Sequence, residues 1–326
     1  MTVTVAPPVQ GPPEADVPLQ LLRSDTGADS TFRWLLMGAS LVVLVAIAAI
    51  VGFLAHFGEP TVRHSGLSIF STHWGPLANP AQYGITSLLV GTIMIAVLAL
   101  VVALPISIAA ALMVNEYAPA QFRRPLTALI DLLAALPSLI YGIWGLTELS
   151  TQVFSTTNWI GKHAAFIPIF RIDGPVGNSI FLCGLVVGVM IIPIITSISR
   201  EVMSQVPRDA CEAALALGGT KWGMVTDVVL PFARPGIIGG ALLGLGRALG
   251  ETIAVLLILS QTNVIQTHIL VRGGAQIPAK IAADFTSVDT ATKQALALAG
   301  LVLFATVLVI NVLARSIVKR SGAALT

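Results

Sequence analysis

The chain has 326 residues, of which 55% are hydrophobic and 10% are charged, and its mean hydropathy is +0.88. Soluble domains usually carry about 25% charged residues, so this composition excludes an ordinary water-soluble protein, a disordered chain, a collagen and a coiled coil. The net charge is +2 and the Lys and Arg residues are scattered, which excludes a nucleic-acid-binding face. The remaining class is an all-α, polytopic protein of the lipid bilayer.

Residues 1–30 differ in composition from the rest of the chain. They contain five prolines and several acidic residues, and they form no apolar face. Such a segment is typical of a disordered tail. No basic region leads directly into a short apolar stretch, so we do not interpret it as a signal peptide. Residues 31–83 then hold the first apolar segment and the loop that follows it.

Six segments are apolar over the roughly 20 residues that a helix needs to cross the hydrocarbon core. They are spans 1 to 6, predicted at Trp34–Ala55, Gly84–Val114, Leu126–Leu146, Asn178–Ile198, Gly236–Leu259 and Gln294–Ile317. Span 3 contains Asp131 near one end, and span 5 contains Arg247 and Glu251 near its middle. The sequence therefore predicts six transmembrane helices, with both termini on the same side.

Prolines and glycines within the spans predict how these helices bend and pack. Pro105, Pro137 and Pro193 remove backbone donors and are expected to kink their helices. Glycine pairs four residues apart permit close helix packing, and they are Gly184/Gly188, Gly240/Gly244 and Gly246/Gly250. We expect Gly184/Gly188 to pack within the chain. For span 5, packing within the chain and an interface with a second subunit are both open.

The distribution of positive charge orients the spans. Of the 18 Lys and Arg residues, eleven lie in the tail, the 2–3 loop, the 4–5 loop and the C-terminal segment, six lie in the other loops, and Arg247 lies within span 5. Cytoplasmic loops carry the excess of Lys and Arg in membrane proteins. Both termini and the 4–5 loop are therefore predicted to be cytoplasmic.

The 4–5 loop, Ser199–Pro235, is too long for a simple connector. Alanine and leucine favour a first helix over Ala210–Leu217, and Thr220 can cap a second helix over Lys221–Leu230, which we expect Pro231 to end. Both helices carry an apolar stripe. Such a stripe packs either beneath its own bundle or into a groove of a partner protein.

A spaced motif in this loop distinguishes it further. Glu212-Ala213-Ala214 is followed after three residues by Gly218, after nine more by Val228, and then by Leu230-Pro231. This pattern resembles the EAA loop of bacterial ABC importer permeases. The resemblance implies a coupling helix that inserts into an ATPase subunit. Its residues here are Glu212, Ala213, Ala214, Gly218, Leu230 and Pro231. In this interpretation Glu212 offers a carboxylate to the partner, the two alanines allow close approach, and Gly218 permits the tight turn between the helices.

Three other stretches resemble the PstC and PstA permeases of bacterial phosphate importers. They are Gly244–Thr252, Leu136–Leu146, and Leu104–Ala110 with Glu116–Pro119. The resemblance covers about Gly84 to the end, but not the tail, and the apolar loop around Trp159–Phe170 matches no family feature. It implies a MetI-like type I importer bundle over residues 84–320, in a bacterial inner membrane. It also implies phosphate as substrate, a PstA-type sister permease, an ABC ATPase dimer and an outer phosphate-binding protein.

Arg247 and Glu251 are four residues apart, so on a continuous helix they would share one face. Charged residues within a membrane usually face the bundle interior and mark a pathway, and the Arg guanidinium suits phosphate. We therefore interpret both as substrate-pathway residues, with Glu251 neutralising Arg247 until the anion passes. The alternative is a structural ion pair.

Several chemical signatures are missing from the sequence. No Gly-x-x-x-x-Gly-Lys-Ser/Thr motif is present, so ATP hydrolysis is expected from a separate subunit. The five histidines lack metal-ligand spacing, Cys183 and Cys211 lie in different environments, and no catalytic residue or cofactor is predicted. The alternatives are a permease for sulfate, molybdate or tungstate, an ATP-independent channel or secondary transporter, and a non-transporting scaffold or sensor subunit.

Overall fold

The computed structural model describes residues 27–76, 78, 81–286 and 289–322. Its helices are α1 (Gly27–Ser65), α2 (Ile85–Leu112), α3 (Ala120–Ala135), α4 (Ser138–Trp144), α5 (Ser150–His163), α6 (Ile180–Ser204), α7 (Arg208–Ala216), α8 (Lys221–Met224), α9 (Leu230–Gly250), α10 (Ile253–Ile258), α11 (Ile277–Asp284) and α12 (Thr290–Gly322). Strands β1 (Trp74–Gly75) and β2 (Gln82–Tyr83) form a short antiparallel pair. Three π-helical segments, Met113–Tyr117, Gly145–Leu149 and Val225–Val229, extend α2, α4 and α8.

The chain divides into two units, Met1–Ile50 and Val51–Thr326. In the first unit the described residues belong to α1, and the apolar side chains there are exposed, as lipid contact allows. The disordered tail expected over residues 1–30 falls mainly outside the described residues, and α1 begins at Gly27. The division into a tail, a first span with its loop, and a permease domain stays a prediction.

Within the described residues, five helical segments are long and apolar enough to cross a membrane. They are Ser30–Phe70, Ile85–Tyr117, Ile180–Ser204, Lys221–Gly250 and Thr290–Ser316. A sixth crossing requires the bent pair Ala120–Ala135 and Ser138–His163. The prediction of an all-α, polytopic membrane protein is confirmed, and each of spans 1, 2, 4 and 6 corresponds to one continuous helix whose ends differ from the prediction by a few residues or more.

Span 3 is not the single helix expected over Leu126–Leu146. It is broken at Leu136-Pro137, and the two parts differ in direction by 86°. Leu136 has an extended backbone with ψ 134°, because a residue before proline is driven out of the helical region. Pro137 therefore acts as a break between α3 and α4, whereas Pro105 and Pro193 lie inside continuous helices.

Span 5 also differs from its prediction over Gly236–Leu259. The helix begins much earlier, at Lys221, and runs through α8, the π-helical segment and α9 to Gly250. It then stops at Glu251, which has an extended backbone, and α10 follows as a separate short helix. The expectation that Arg247 and Glu251 share one face of a helix is therefore wrong.

The centre of the second unit is built from α2, α6 and α9, which pack against one another. Glycines make these contacts close. A Cβ at Gly184 would lie 2.5 Å from Leu98 of α2, and one at Gly244 would lie 2.8 Å from Ile195 of α6. Gly184/Gly188 and Gly240/Gly244 therefore pack within the chain, whereas a Cβ at Gly246 or Gly250 would have no neighbour within 4 Å.

Loops join the helices at the end of the bundle where α2 and α6 begin. The segment between α10 and α11 donates and accepts backbone hydrogen bonds here: Phe181 N–H donates to Ile269 C=O at 3.0 Å, and Gly273 N–H donates to Asn178 C=O at 3.0 Å. Trp74 N–H donates to Asn263 C=O at 2.9 Å. The opposite end carries α7 and α8, where buried residues of α2, α6 and α9 form a second apolar cluster.

Candidate functional site

Helix α7 carries the acidic and small residues of the loop motif. Glu212 and Ala213 are exposed on it, and Ala214 is half-buried against the cluster below. The helix begins after Pro207, with Asp209 in its first turn, where a carboxylate interacts favourably with the helix dipole. Three motif residues are therefore presented on a short helix outside the bundle core.

A glycine turn ends this helix. Gly218 has φ +86°, a conformation that residues with a Cβ rarely adopt. Gly218 N–H donates to Leu215 C=O at 3.0 Å, and Gly219 N–H donates to Ala214 C=O at 3.2 Å. These bonds satisfy carbonyls at the helix end, and Thr220 then caps α8 by accepting from Gly223 N–H at 3.1 Å. The turn expected at Gly218 is present in the structure.

The apolar residues of the loop divide into two sets. Val225 and Val229 are fully buried against α2 and α6, as packing beneath the chain's own bundle requires. Leu217 is 90% exposed and Trp222 is 61% exposed. We call Glu212, Ala213, Leu215, Leu217 and Trp222 the loop surface. Its apolar side chains have the exposure expected of a docking site.

Leu230 and Pro231 lie in a different place from the other motif residues. They begin α9 and are half-buried, so they do not belong to the loop surface. Pro231 does not end the preceding helix, contrary to expectation. It has no N–H for the carbonyl four residues earlier, and the π-helical segment Val225–Val229 precedes it. The wider turn there lets the helix continue.

A cleft of about 500 Å³ lies between the end of α2, the end of α6 and α7. Its lining includes Glu116, Arg123, Arg208, Cys211 and Glu212. Burial raises the pKa of the Cys211 thiol, and the nearby charges of Glu116 and Glu212 raise it further. Glu212 therefore borders a polar cleft as well as the loop surface.

Arg247 lies in the last turn of α9, on the exposed side of the helix. No ion pair among the described residues includes it. Gly239 and Leu243 precede it on the same exposed face, and a Cβ at Gly239 would meet nothing within 4 Å. Elsewhere in the membrane-spanning part, the Tyr141 hydroxyl donates to Leu133 C=O at 2.9 Å across the break in span 3.

Glu251 forms a hydrogen bond with the backbone of α10 and not with the Arg247 side chain. Its side chain is buried, and Oε1 accepts a hydrogen bond from Ala254 N–H at 3.1 Å. This bond satisfies a donor in the first turn of α10, where a negative charge is favourable. Arg247 at the end of α9 and Glu251 at the start of α10 thus each stabilise one side of the same break.

Gln276 also stabilises the break between α9 and α10. It is fully buried, and its Nε2 donates to Glu251 C=O at 2.7 Å while its Oε1 accepts from Ala279 N–H at 3.2 Å. Thr92 of α2 accepts from Ile277 N–H at 3.0 Å. Neither Gln276 nor Tyr141 was predicted as a site residue from the sequence. A lone amide or phenol in an apolar stretch is the signal that could have found them.

Residues 103–323 match the family model of the binding-protein-dependent transport system inner membrane component. The chain is 38% identical over 301 residues to the phosphate transport system permease protein PstC of Xylella fastidiosa strain 9a5c, covering 91% of this chain and 92% of that protein. It is 36% identical to PstC 2 of Mycobacterium tuberculosis (91% and 93% covered). It is 34% identical to the probable PstC of Methanocaldococcus jannaschii (89% and 93% covered).

Solved structures share the fold. A chain of a bacterial alginate ABC transporter in complex with an alginate pentasaccharide-bound periplasmic protein superposes with a TM-score of 0.59 at 17% identity, covering 90% of this chain and 96% of that chain. A bacterial ABC transporter for alginate import gives a TM-score of 0.54 at 19% identity, with 90% and 98% covered. The chain is therefore an integral membrane protein that belongs to the binding-protein-dependent transport permease family, in its group of PstC-type permeases.

Proposed function

We propose that this chain is one of two permease subunits of an ATP-driven importer for inorganic phosphate. The observation that carries the proposal is its similarity, over about nine tenths of its length, to proteins named as phosphate transport system permeases. Its partners are a PstA-type sister permease, an ABC ATPase dimer and an outer phosphate-binding protein. The chain itself is non-catalytic, and the ATPase subunits hydrolyse ATP.

The loop surface is the proposed docking site for the ATPase. Glu212 offers an exposed carboxylate, and Leu217 and Trp222 offer apolar area that the chain itself leaves uncovered. Burying such side chains against a partner is favourable by about 25 cal/mol per Å² of apolar surface. Ala213 lets the partner backbone approach, while Leu230 and Pro231 contribute by shaping the helix behind the surface.

Arg247 is the proposed phosphate contact in the pathway. Phosphate carries negative charge and strong acceptor oxygens, and a guanidinium supplies a fork of donors that matches them. Its charge also lowers the barrier that an anion meets in a low dielectric. We place the sister permease against the exposed face of α9 that holds Gly239, Leu243 and Arg247, so that the pathway runs between the two subunits.

Glu251 remains a proposed residue of the pathway, but as a cap of α10 and not as the group that neutralises Arg247. We propose that it fixes the end of α9 by capping α10, and so sets where Arg247 stands. A carboxylate would repel phosphate, so direct contact with the anion is unfavourable. Gln276 supports the same break through its bond to the Glu251 carbonyl, whereas Tyr141 bridges the break in span 3.

One helix connects the two sites. The stretch Lys221–Gly250 begins within the loop surface, since it contains Trp222, and it ends with Arg247 in its last turn. A movement imposed on the loop by the ATPase would therefore displace Arg247 along a continuous backbone. This connection supports alternating access, in which ATP binding opens the pathway outward, the binding protein delivers phosphate, and hydrolysis resets the pathway inward.

The orientation that fits this function places both termini and α7 in the cytoplasm. The excess of Lys and Arg on that side supports it. The loops that join α10, α11 and the start of α6 would then face outward, where the binding protein docks. Cysteine labelling of the two sides with a membrane-impermeant reagent would test the orientation.

Substrate identity can be tested with the complete complex in proteoliposomes. We expect ATP-dependent uptake of radiolabelled phosphate that excess sulfate or molybdate does not reduce. Uptake competed away by sulfate or molybdate would assign the complex to another oxyanion. Uptake that does not need ATP would instead support a channel or a secondary transporter.

A further inference from the structure

Lys221 makes two contacts that the proposed function does not use. It is the first residue of α8, and its Nζ donates a hydrogen bond to the backbone carbonyl of Glu116. The same Nζ lies 4.6 Å from the centre of the Tyr117 ring. Glu116 and Tyr117 end the π-helical segment that extends α2. The start of the α8–α9 helix is therefore joined to the end of α2 by one side chain.

The end of α2 is suited to receive a cation. The last carbonyls of a helix have no partner within the helix, and they carry partial negative charge. Here Ala118 N–H donates to Met113 C=O at 2.7 Å and closes the π-turn, which leaves the Glu116 carbonyl for Lys221. The face of the Tyr117 ring adds a cation–π attraction at the same place.

A second side chain joins the same segment to α6. Asn115 Nδ2 donates to Arg200 C=O at 2.7 Å. The segment Met113–Tyr117 is thus held on one side by α6, through Asn115, and on the other by α8, through Lys221. Lys221 directly precedes Trp222 of the loop surface, so its bond joins the end of α2 to the helix that carries part of that surface.

We propose that Lys221 is a positioning residue that makes the end of α2 follow the loop surface when the ATPase moves it. α2 packs along α6 and α9 in the centre of the bundle, so a displacement of its end is passed on to the pathway walls. Without Lys221, the loop would still bind the ATPase, but α2 would follow its movement incompletely. This inference rests on the proposed function for its transport readout.

The test compares Lys221→Met, which keeps much of the aliphatic stem and loses the charge, with Lys221→Arg, which keeps a cation that can stack on Tyr117. Lys162→Met on α5 is the matched control. In proteoliposomes holding the whole complex, we expect Lys221→Met to lower phosphate imported per ATP hydrolysed about two- to fivefold, while ATP hydrolysis continues. Lys221→Arg should restore the ratio. An unchanged ratio in Lys221→Met, or a loss in Lys221→Arg equal to that in Lys221→Met, overturns the proposal.

A second pair of variants covers the case in which Lys221→Met does not assemble. Tyr117→Leu removes the ring face and Tyr117→Phe keeps it. The proposal requires a reduced ratio in Tyr117→Leu alone, and equal ratios in the two variants contradict it. Hydrogen exchange of the backbone amides of residues 113–118 gives a readout that needs no substrate.

The exchange measurement also separates the two proposals. If the wild-type complex imports no phosphate, the proposed function fails, and the exchange rates still decide the role of Lys221. Severalfold faster exchange in Lys221→Met, with wild-type rates in Lys221→Arg and Lys162→Met, supports the proposal that Lys221 holds the end of α2. Exchange in Lys221→Met at the wild-type rate overturns it.

Discussion

Lys221 and Arg247 lie on one continuous helical stretch, about 40 Å apart along its axis at a rise of about 1.5 Å per residue. The first residue contacts the end of α2 beside the loop surface, and the second stands at the break before α10. A rigid helix transmits displacement over this distance better than a jointed one. The length of this helix is therefore the structural basis for coupling in our account.

Loosening this helix should uncouple transport. Phe232 and Arg234 are exposed on its first turns within α9. Replacing both with Gly costs about 1 kcal/mol per site relative to replacing both with Ala, and adds backbone freedom between the loop and Arg247. We expect less phosphate per ATP in the Gly pair than in the Ala pair, with equal ATPase binding. Equal transport in both pairs would show that helix rigidity is unimportant.

The charge of Glu212 should matter for ATPase binding. We expect Glu212→Lys to weaken co-purification of the ATPase at least about tenfold, or about 1.4 kcal/mol, because it reverses an exposed charge on the loop surface. Glu201→Lys, on an exposed residue of α6 outside the loop surface, is the control. Similar losses in the two variants would indicate a general charge effect and not a specific contact.

Glu251 should act as a cap and not as a counter-charge. Glu251→Gln keeps an oxygen for Ala254 N–H, whereas Glu251→Ala removes it at a cost of about 0.5–2 kcal/mol. We expect Glu251→Gln to retain thermal stability and uptake, and Glu251→Ala to lose part of both. If Gln is as harmful as Ala, the negative charge itself is needed.

Exchanging the two charges tests the same point. In Arg247→Glu/Glu251→Arg, the arginine at position 251 cannot accept from Ala254 N–H, so we expect neither stability nor uptake to recover. Restored uptake in this double variant would instead favour an interchangeable ion pair.

The pKa of the Cys211 thiol tests whether the cleft buries this residue beside Glu116 and Glu212. Its pKa lies above the ordinary thiol value because of burial, Glu116 and Glu212, so less reactive thiolate is present at neutral pH. In a Cys183→Ala background, we expect alkylation to rise only at pH values above those of a free cysteine. Glu212→Gln should lower the pKa and speed the reaction at pH 8, whereas Glu201→Gln should not. A pH profile that Glu212→Gln leaves unchanged would show that the Glu212 charge does not raise the pKa of Cys211.

The sequence was sufficient to predict helices and turns where a local pattern of residues decides the structure. Apolar length located the helices of spans 1, 2, 4 and 6, and the turn at Gly218 followed from a residue that tolerates positive φ. The family was recognisable because the residues of the 4–5 loop from Glu212 to Pro231, and those around Arg247, match the spacing of the family's motifs.

The sequence was insufficient to predict the helix ends and breaks where contacts with neighbouring helices decide whether a proline or a polar residue is tolerated. Pro137 breaks span 3, whereas Pro231 follows a π-turn inside a longer helix, and nothing local distinguishes them. At the end of α9, the Glu251 carbonyl accepts a hydrogen bond from Gln276, which is far along the chain, so this contact could not be read from the local sequence. The four-residue spacing of Arg247 and Glu251 was therefore misleading.

The most direct test of the central claim is ATP-driven uptake of radiolabelled phosphate by the whole complex carrying Arg247→Gln. We predict that uptake falls to background while the complex assembles and ATPase binding stays normal, and that Arg247→Lys, which keeps the charge without the fork of donors, retains part of it. Wild-type uptake in Arg247→Gln would contradict the proposed pathway.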